Sequence, residues 1–488
     1  MSSTTILSVL GGYFALLFVI SRWTSRGSTS ASFYTADRSS PWYVVAFGMI
    51  GASLSGVTFI SVPGAVGGEG LNQDFSYMQA VFGYILGYVA IAFVLLPLYY
   101  RLNLTSIYTY LDQRFGKSSY KTGSVFFLIS RIIGASFRLY LVALVLDAFV
   151  LGVMGVPFYA TVFVTVALIW LYTFRGGIKT VVWTDTLQTA SMLIAVGLAV
   201  AAMASEMELS AGDFISTISN SEYSQMFFFD GGWSDPNNFF KQFLGGAFIT
   251  IVMTGLDQDM MQKNLTITSL RDSQKNMLTL SGVLVIVNLL FLSLGAMMYL
   301  YAAKEGIDIP GKRDQLFPTL ALEHLSPAIG IAFIIGLVAA AYSSADSALT
   351  ALTTSFSVDI LEFDPQDESS VARRQWVHAG MAGVLMVVIL IFWRMNDDSV
   401  INQLFRAAGY TYGPLLGLYA FGLFTRRAVR DRLVPLVAVA SPVICYVMNL
   451  NAEQWFAGYK FGFELLIING LLTFTGLWLL SFQGRESQ

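Results

Sequence analysis

Cysteine and histidine are almost missing from this chain of 488 residues. Cys445 is the only thiol, which excludes an intrachain disulfide. His324 and His378 are the only imidazoles, which argues against a zinc or haem centre. Charge is scarce as well. Only 12% of residues are Asp, Glu, Lys or Arg, against about 25% in a soluble domain. The net charge is −3 and no basic tract is present, which argues against nucleic acid as a partner. No Ser/His/Asp or His-Glu constellation supports an intramembrane enzyme, and His378 stands near a helix start. No ring of charges or repeated filter motif suggests a channel. No appended soluble domain is visible, and the few residues after Phe482 leave little room for the signalling module of a membrane sensor. Nor is an obligate protein partner evident. What is abundant is apolar surface: 55% of residues are hydrophobic. The composition is that of an all-α polytopic membrane protein.

The first apolar run, Thr4 to Ile20, is followed rather than preceded by positive charge, at Arg22, Arg26 and Arg38. That order is the reverse of a signal peptide's, so a retained first helix with its N-terminus outside is expected. Further spans are expected near 42–68, 76–100, 120–152, 157–174, 180–204, 239–261, 274–302, 327–358, 375–395, 399–423, 433–450 and 460–482. The total is about 13 helices, with the C-terminus in the cytoplasm of a bacterial inner-membrane protein. The loops assigned inside carry Arg101, Arg114, Lys117, Lys121, Arg175, Lys179, Lys263, Arg271, Lys275, Arg373 and Arg374, and finally the arginines from Arg426 to Arg432. The long outside loop at 205–238 has six acidic residues and no Lys or Arg, as the positive-inside rule requires. The loop with Lys304, Lys312 and Arg313 runs against the rule. Trp233 and Phe227 to Phe229 suggest an interfacial aromatic belt outside.

The run beginning near Ile329 places Ser343, Ser344, Asp346, Ser347 and Thr350 at membrane depth. A charge there is costly, so Asp346 marks a functional site by default. At 100° per residue Ala340, Ser343, Ser344 and Ser347 share a stripe, with Asp346 beside it. Small residues, hydroxyls and one carboxylate on one face suit close packing and hard oxygen ligation, as sodium would require.

Two other spans are interrupted by glycine. One contains Gly48 to Gly56; the other contains Gly245-Gly246 and then Thr254-Gly255-Leu256-Asp257-Gln258-Asp259. They lie five helices apart, so the units they begin would be oppositely oriented. Such pairs mark the binding site of secondary transporters built from inverted repeats, although glycines also serve close helix packing.

Four stretches carry a resemblance. They are Ser32-Phe33-Tyr34-Thr35-Ala36-Asp37-Arg38-Ser39-Ser40-Pro41-Trp42, the segment from Leu104 to Phe115, the segment from Gly176 to Asp185, and Asp257-Gln258-Asp259-Met260-Met261-Gln262-Lys263. In order and spacing they resemble the sodium/solute symporter family. The run from Leu54 to Pro63 is similar to its bacterial sialic-acid and sugar branch. The resemblance implies a LeuT-like fold with a 5+5 inverted repeat. It implies a leading helix and loop (1–41), a first repeat (42–205), an extracellular loop (206–238), a second repeat (239–424) and two additional helices (425–488). It implies symport of sodium with a small polar organic solute, a sugar or sugar acid first, and an amino acid, monocarboxylate or vitamin second.

Carried over residue by residue, the family's principal sodium site falls on Gly51, Leu54, Ala340, Ser343 and Ser344. The alternative for the serines is bonding back to carbonyls one turn earlier. The second sodium site of some members falls on Asp185, Ser343, Asp346 and Ser347. Asp346 departs from the branch's serine. It would ligate an ion, pair with a buried arginine or helix group, or hold a proton. Asp185 has a plainer reading too, as a solvated helix start. The substrate pocket falls on Ser53, Ser55 and Thr58, with Gln79 on the next span as an amide partner. A family arginine that clamps a carboxylate aligns with Gly134; Arg131 and Arg138 lie one turn to either side, and Arg138 is preferred. Tyr410 and Tyr412, beside Gly409 and Gly413, are read as either an outer gate or packing.

Overall fold

The computed structural model describes residues 3–395, 400–456, 459 and 461–482. Its principal helices are α1 (Ser3–Thr24), α2 (Trp42–Ala65), α3 (Tyr77–Arg101), α4 (Lys117–Met154), α5 (Phe158–Thr173) and α6 (Ile178–Glu206). After the outer loop come α7 (Phe239–Gly255), α8 (Gln258–Asn264), α9 (Leu270–Glu305) and α10 (Pro327–Ile360). The chain ends with α11 (Glu368–Met395), α12 (Val400–Thr411), α13 (Gly413–Phe424), α14 (Asp431–Leu450) and α15 (Glu464–Leu479). A two-residue antiparallel ribbon joins Ala428–Val429 to Ser481–Phe482. Among the described residues nine helices are long and apolar enough to cross a bilayer, and a tenth if the bent pair α7 and α8 is one span. The shorter apolar helices α5, α13 and α15 lie where further spans were expected.

Both expected interruptions exist. Within α2, Ser55 has φ 59° and ψ 171°, so the helix is broken at that residue. The second break bends α7 against α8 by 68°. Leu256 and Asp257 leave the helical region there, and the Asp257 carboxylate restarts the helix by accepting from the Asp259 amide at 2.9 Å. The carbonyls freed at this break are bonded by tyrosine hydroxyls. Tyr99 donates to Gly255 O at 2.8 Å and Tyr108 donates to Leu256 O at 2.9 Å. Gly245 and Gly246 take no part in the break. A Cβ at Gly246 would lie 2.1 Å from Ala80 O, so this glycine lets α7 lie against α3.

The four stretches that carried the family resemblance meet around α8. Gln258 accepts from Ile107 N at 3.0 Å and donates to Thr105 O at 2.8 Å. Gln262 donates to Tyr34 O at 2.8 Å and to Thr354 Oγ1 at 3.0 Å. Polar side chains inside an apolar bundle are costly unless bonded, which accounts for these amides at those positions. Lys263 and Arg374, counted among the loop charges, are instead buried. The Arg374 guanidinium lies 4.1 Å from the Phe33 ring centroid. Arg313 is exposed and packs its backbone against the end of α2: a Cβ at Gly64 would lie 2.7 Å from its carbonyl oxygen.

Candidate ion and solute sites

The unbroken helix α10 carries the serine stripe, and every residue from Val338 to Ser355 is buried. It packs against α6 and against the first half of α2. Contact is close because α2 presents glycine there. A Cβ at Gly48 would stand 2.9 Å from Asp185 Cβ, and one at Gly51 would stand 2.4 Å from Thr189 Oγ1 and 3.1 Å from Ser343 Oγ. The Gly51 amide donates to Thr189 Oγ1 at 3.1 Å, and Thr189 donates on to Gly48 O at 3.3 Å. Ser344 Oγ donates across to Ala52 O at 3.3 Å. Of the five residues expected for the principal site, the structure brings Gly51 beside Ser343 and has Ser344 bridging to α2; Ala340 lies one turn before Ser344 on α10. Leu54, on α2, lines the cavity instead. Back-bonding by one turn is the role of Ser347, which donates to Ser343 O at 2.9 Å; Ser343 and Ser344 reach other helices.

Behind this pair lies a cluster of buried charge. Ser343 Oγ donates to Asp185 Oδ1 at 2.6 Å, and Lys263 Nζ stands 2.6 Å from Asp185 Oδ2. Asp185 is fully buried, so the solvated helix start is excluded. Asp346 accepts from Tyr172 Oη at 2.9 Å and Thr184 Oγ1 at 3.3 Å, and from the Ser347 amide at 2.6 Å. Among the described residues Asp346 has no arginine or lysine within ion-pair distance. The basic partner of this cluster is Lys263, and it serves Asp185. Sequence reasoning missed Lys263 because it closes a charged stretch that reads as a loop. Thr189 was legible in principle, one turn after Asp185 on the same face.

On the other side of α2 lies a cavity of about 90 Å³. Its wall includes Ser53, Ser55, Thr58, Tyr88, Thr254 and Asn288, together with Arg131 and Arg138. Three expected pocket hydroxyls and the preferred arginine therefore share one cavity. Gln79 does not. Its amide donates to Asn237 O at 2.8 Å and Ser76 O at 3.2 Å, and accepts from Phe228 N at 3.1 Å, so both of its ends anchor the outer loop. The two arginines are not equivalent. Arg131 pairs with Asp259 and stands 3.8 Å from Asp257 Oδ2. Tyr412 donates to that same Asp257 oxygen. Among the described residues Arg138 has no ion pair, and its buried Nε has no hydrogen-bond partner. Tyr410 accepts from Asn449 Nδ2 at 2.9 Å, and a Cβ at Gly413 would lie 2.3 Å from Asn469 Cγ. Packing accounts for Gly413.

Paired broken helices flanking a cavity, with a serine-bearing helix packed on one of them, define a secondary transporter of the LeuT-like fold. Residues 33–431 match the model of the sodium:solute symporter family, and the chain belongs to that family. It is a sodium-coupled transporter rather than an enzyme. It is 25% identical over 483 residues to the sodium/sialic acid symporter NanT of Aliivibrio fischeri, covering 95% of this chain and 92% of that one. It is 28% identical over 425 residues to the human sodium-coupled monocarboxylate transporter 1, covering 81% and 64%. Its fold is similar to the substrate-bound outward-open state of a sodium-coupled sialic acid symporter. The TM-score is 0.81 at 19% sequence identity, and 98% and 99% of the two chains are covered.

Proposed function

We propose that the protein imports a hydroxylated sugar acid of the sialic acid class together with sodium. The observation that carries this reading is Arg138: a buried guanidinium on the cavity wall that pairs with no carboxylate among the described residues. An uncompensated buried charge is costly, and a solute carboxylate satisfies it with bidentate geometry. Ser53, Ser55, Thr58 and Asn288 suit the hydroxyls of such a solute. Sodium is held by carbonyls of Gly51 and Leu54 in α2 and by Ala340, Ser343 and Ser344 in α10. With both carboxylates ionised, two against one ammonium leave one negative charge among Asp185, Asp346 and Lys263. That surplus suits a second sodium among Asp185, Ser343, Asp346 and Ser347. Because both ligands favour the state in which α2 closes on α10, each raises the affinity for the other. The chain lies in a bacterial inner membrane with its N-terminus outside and its C-terminus in the cytoplasm, and the basic loops support this orientation.

A second reading is import of a small monocarboxylate. The narrowness of the cavity and its apolar members Ile249, Met253 and Leu284 favour it. The deciding experiment is uptake into proteoliposomes in sodium, with sialic acid, lactate and a neutral hexose as competitors. Inhibition by sialic acid alone supports the first reading and inhibition by lactate alone the second. Inhibition by the neutral hexose alone overturns both. Uptake that persists when potassium or choline replaces sodium overturns the coupling.

A further inference from the structure

We propose that the cleft between the start of α4 and the start of α14 is a binding site for one anionic phospholipid. The cleft has a volume of about 480 Å³ and is lined by Lys117, Ser118, Lys121, Thr122, Val125, Phe126, Pro435 and Val439. It divides into two chemically distinct parts. One part is apolar and open to the bilayer: Val125 is 42% exposed and Val439 55% exposed. An acyl chain is the solvent-facing partner that such a wall meets in a membrane. The mouth is basic and lies at the end of the bundle that carries the arginine-rich loop before α14.

The charges at the mouth favour an anion. Lys117 Nζ and Lys121 Nζ converge on one oxygen of Glu362, at 3.4 and 2.8 Å. The Glu362 side chain is half exposed and that of Lys117 is 72% exposed. Exposed pairs of this kind are worth little, so Glu362 is a weak and displaceable counter-ion. Asp359, also nearby, is buried and its carboxylate is held by Tyr120 and Ser355, and Asp431 does not compete either. It is consumed by the first turn of α4, accepting from the amides of Ser118 and Ser119 at 2.8 Å each. Arg430 and Arg432 flank it in sequence. Two lysines against one exposed carboxylate leave the mouth positive. A lipid phosphodiester matches Glu362 in charge, with one negative charge over two free oxygens, and it bridges both ammonium groups while its acyl chain fills the apolar part of the cleft, which the carboxylate of Glu362 cannot do. Basic pockets between membrane helices recognise lipid headgroups by this combination. The site also gives the helices after α13 a task, since a lipid seated there ties α14 to α4 in the core.

The test uses the full chain in phosphatidylcholine nanodiscs, with phosphatidylglycerol added in steps. Melting temperature and retained lipid by native mass spectrometry are the readouts. The expected result is a rise in melting temperature and preferential retention of one phosphatidylglycerol. Lys117→Gln with Lys121→Gln should weaken that retention by roughly tenfold or more. Glu362→Gln should strengthen it, because the internal competitor is removed. Val439→Trp, which fills the cleft, should abolish it. Lys121 also donates to Asp359 O at 2.5 Å. If the double variant does not fold, the exposed Lys117→Gln alone decides, with a smaller loss. Equal retention of the two lipids, unchanged retention in Lys117→Gln, or the same thermal shift from inorganic phosphate alone would overturn the proposal.

Discussion

Two clusters of buried charge lie on opposite sides of the broken helix α2, and they are built to opposite ends. On one side Asp185 and Asp346 face a single Lys263, which pairs with Asp185 and leaves Asp346 to hydroxyls and an amide. On the other side two arginines face two aspartates, and the sum is zero. The pairing there is unequal: Arg131 takes both Asp257 and Asp259, and Arg138 is left alone on the cavity wall. The first cluster is short of a positive charge and the second is short of a partner for one. In the proposed reading a cation completes the first and an anion the second. The short helix α8 serves both, with Asp257 and Asp259 at its start and Lys263 near its end. Net charge alone would miss the second site; the distribution of partners is what distinguishes it.

The sharpest way to break this contrast is to remove Arg138. Arg138→Gln should cut uptake of an anionic solute by roughly 100-fold or more, on the usual cost of truncating a buried charge pair. Sodium-induced thermal stabilisation should persist, because the ion cluster is untouched. Comparable losses for charged and neutral solutes would show that Arg138 is structural. The next effect concerns Arg131. Arg131→Met leaves two buried carboxylates without their partner, at a cost of about 3–5 kcal/mol, read as a large fall in melting temperature. Asp257 or Asp259 would then be free to pair with Arg138. Solute affinity should fall even though the clamp itself is intact, and Asp257→Asn combined with Asp259→Asn should restore part of it.

The contrast was only half visible in the sequence. Ser343 and Ser344 stood out because hydroxyls beside a carboxylate are conspicuous in an apolar run, and they fall on one helix face by counting alone. The first break was legible as a run of glycine and serine, and the second as Thr254 to Asp259. The partners were not legible. Lys263 sits 78 residues from Asp185 in a charged stretch, so it read as a loop charge. Which arginine was free could not be counted out either, since Arg131 and Arg138 share a helix face and differ only in what α8 brings to them. Gln79 shows the converse error. Its place on the span after the break suggested an amide partner for the pocket, but an amide has two ends to satisfy, and the outer loop satisfies both.

Smaller effects sharpen the cation side. Ser344→Ala removes one hydroxyl from the proposed principal sodium site and its bond to Ala52 O. The sodium concentration for half-maximal uptake should rise about tenfold, as expected for one lost hydrogen bond or ligand to a charged group. An unchanged sodium requirement would move the principal ion away from α10.

The finest test sets Asp346 against Lys263. If the surplus negative charge is what holds a second sodium, the two substitutions must act in opposite directions. Asp346→Asn keeps the shape and a bond to Tyr172 but removes the surplus, so the Hill coefficient for sodium should fall toward one. Lys263→Met enlarges the surplus by leaving Asp185 unpaired, so sodium should bind the second site more tightly. Without sodium that variant should melt lower than the parent, since a buried carboxylate has lost its partner. With sodium it should recover more, because an ion that binds only the folded state stabilises it by mass action. The slope of melting temperature against sodium concentration is therefore steeper in Lys263→Met and shallower in Asp346→Asn. Equal slopes in the two variants would mean that Asp346 is held by its hydroxyl partners alone, and that the cluster needs no second ion.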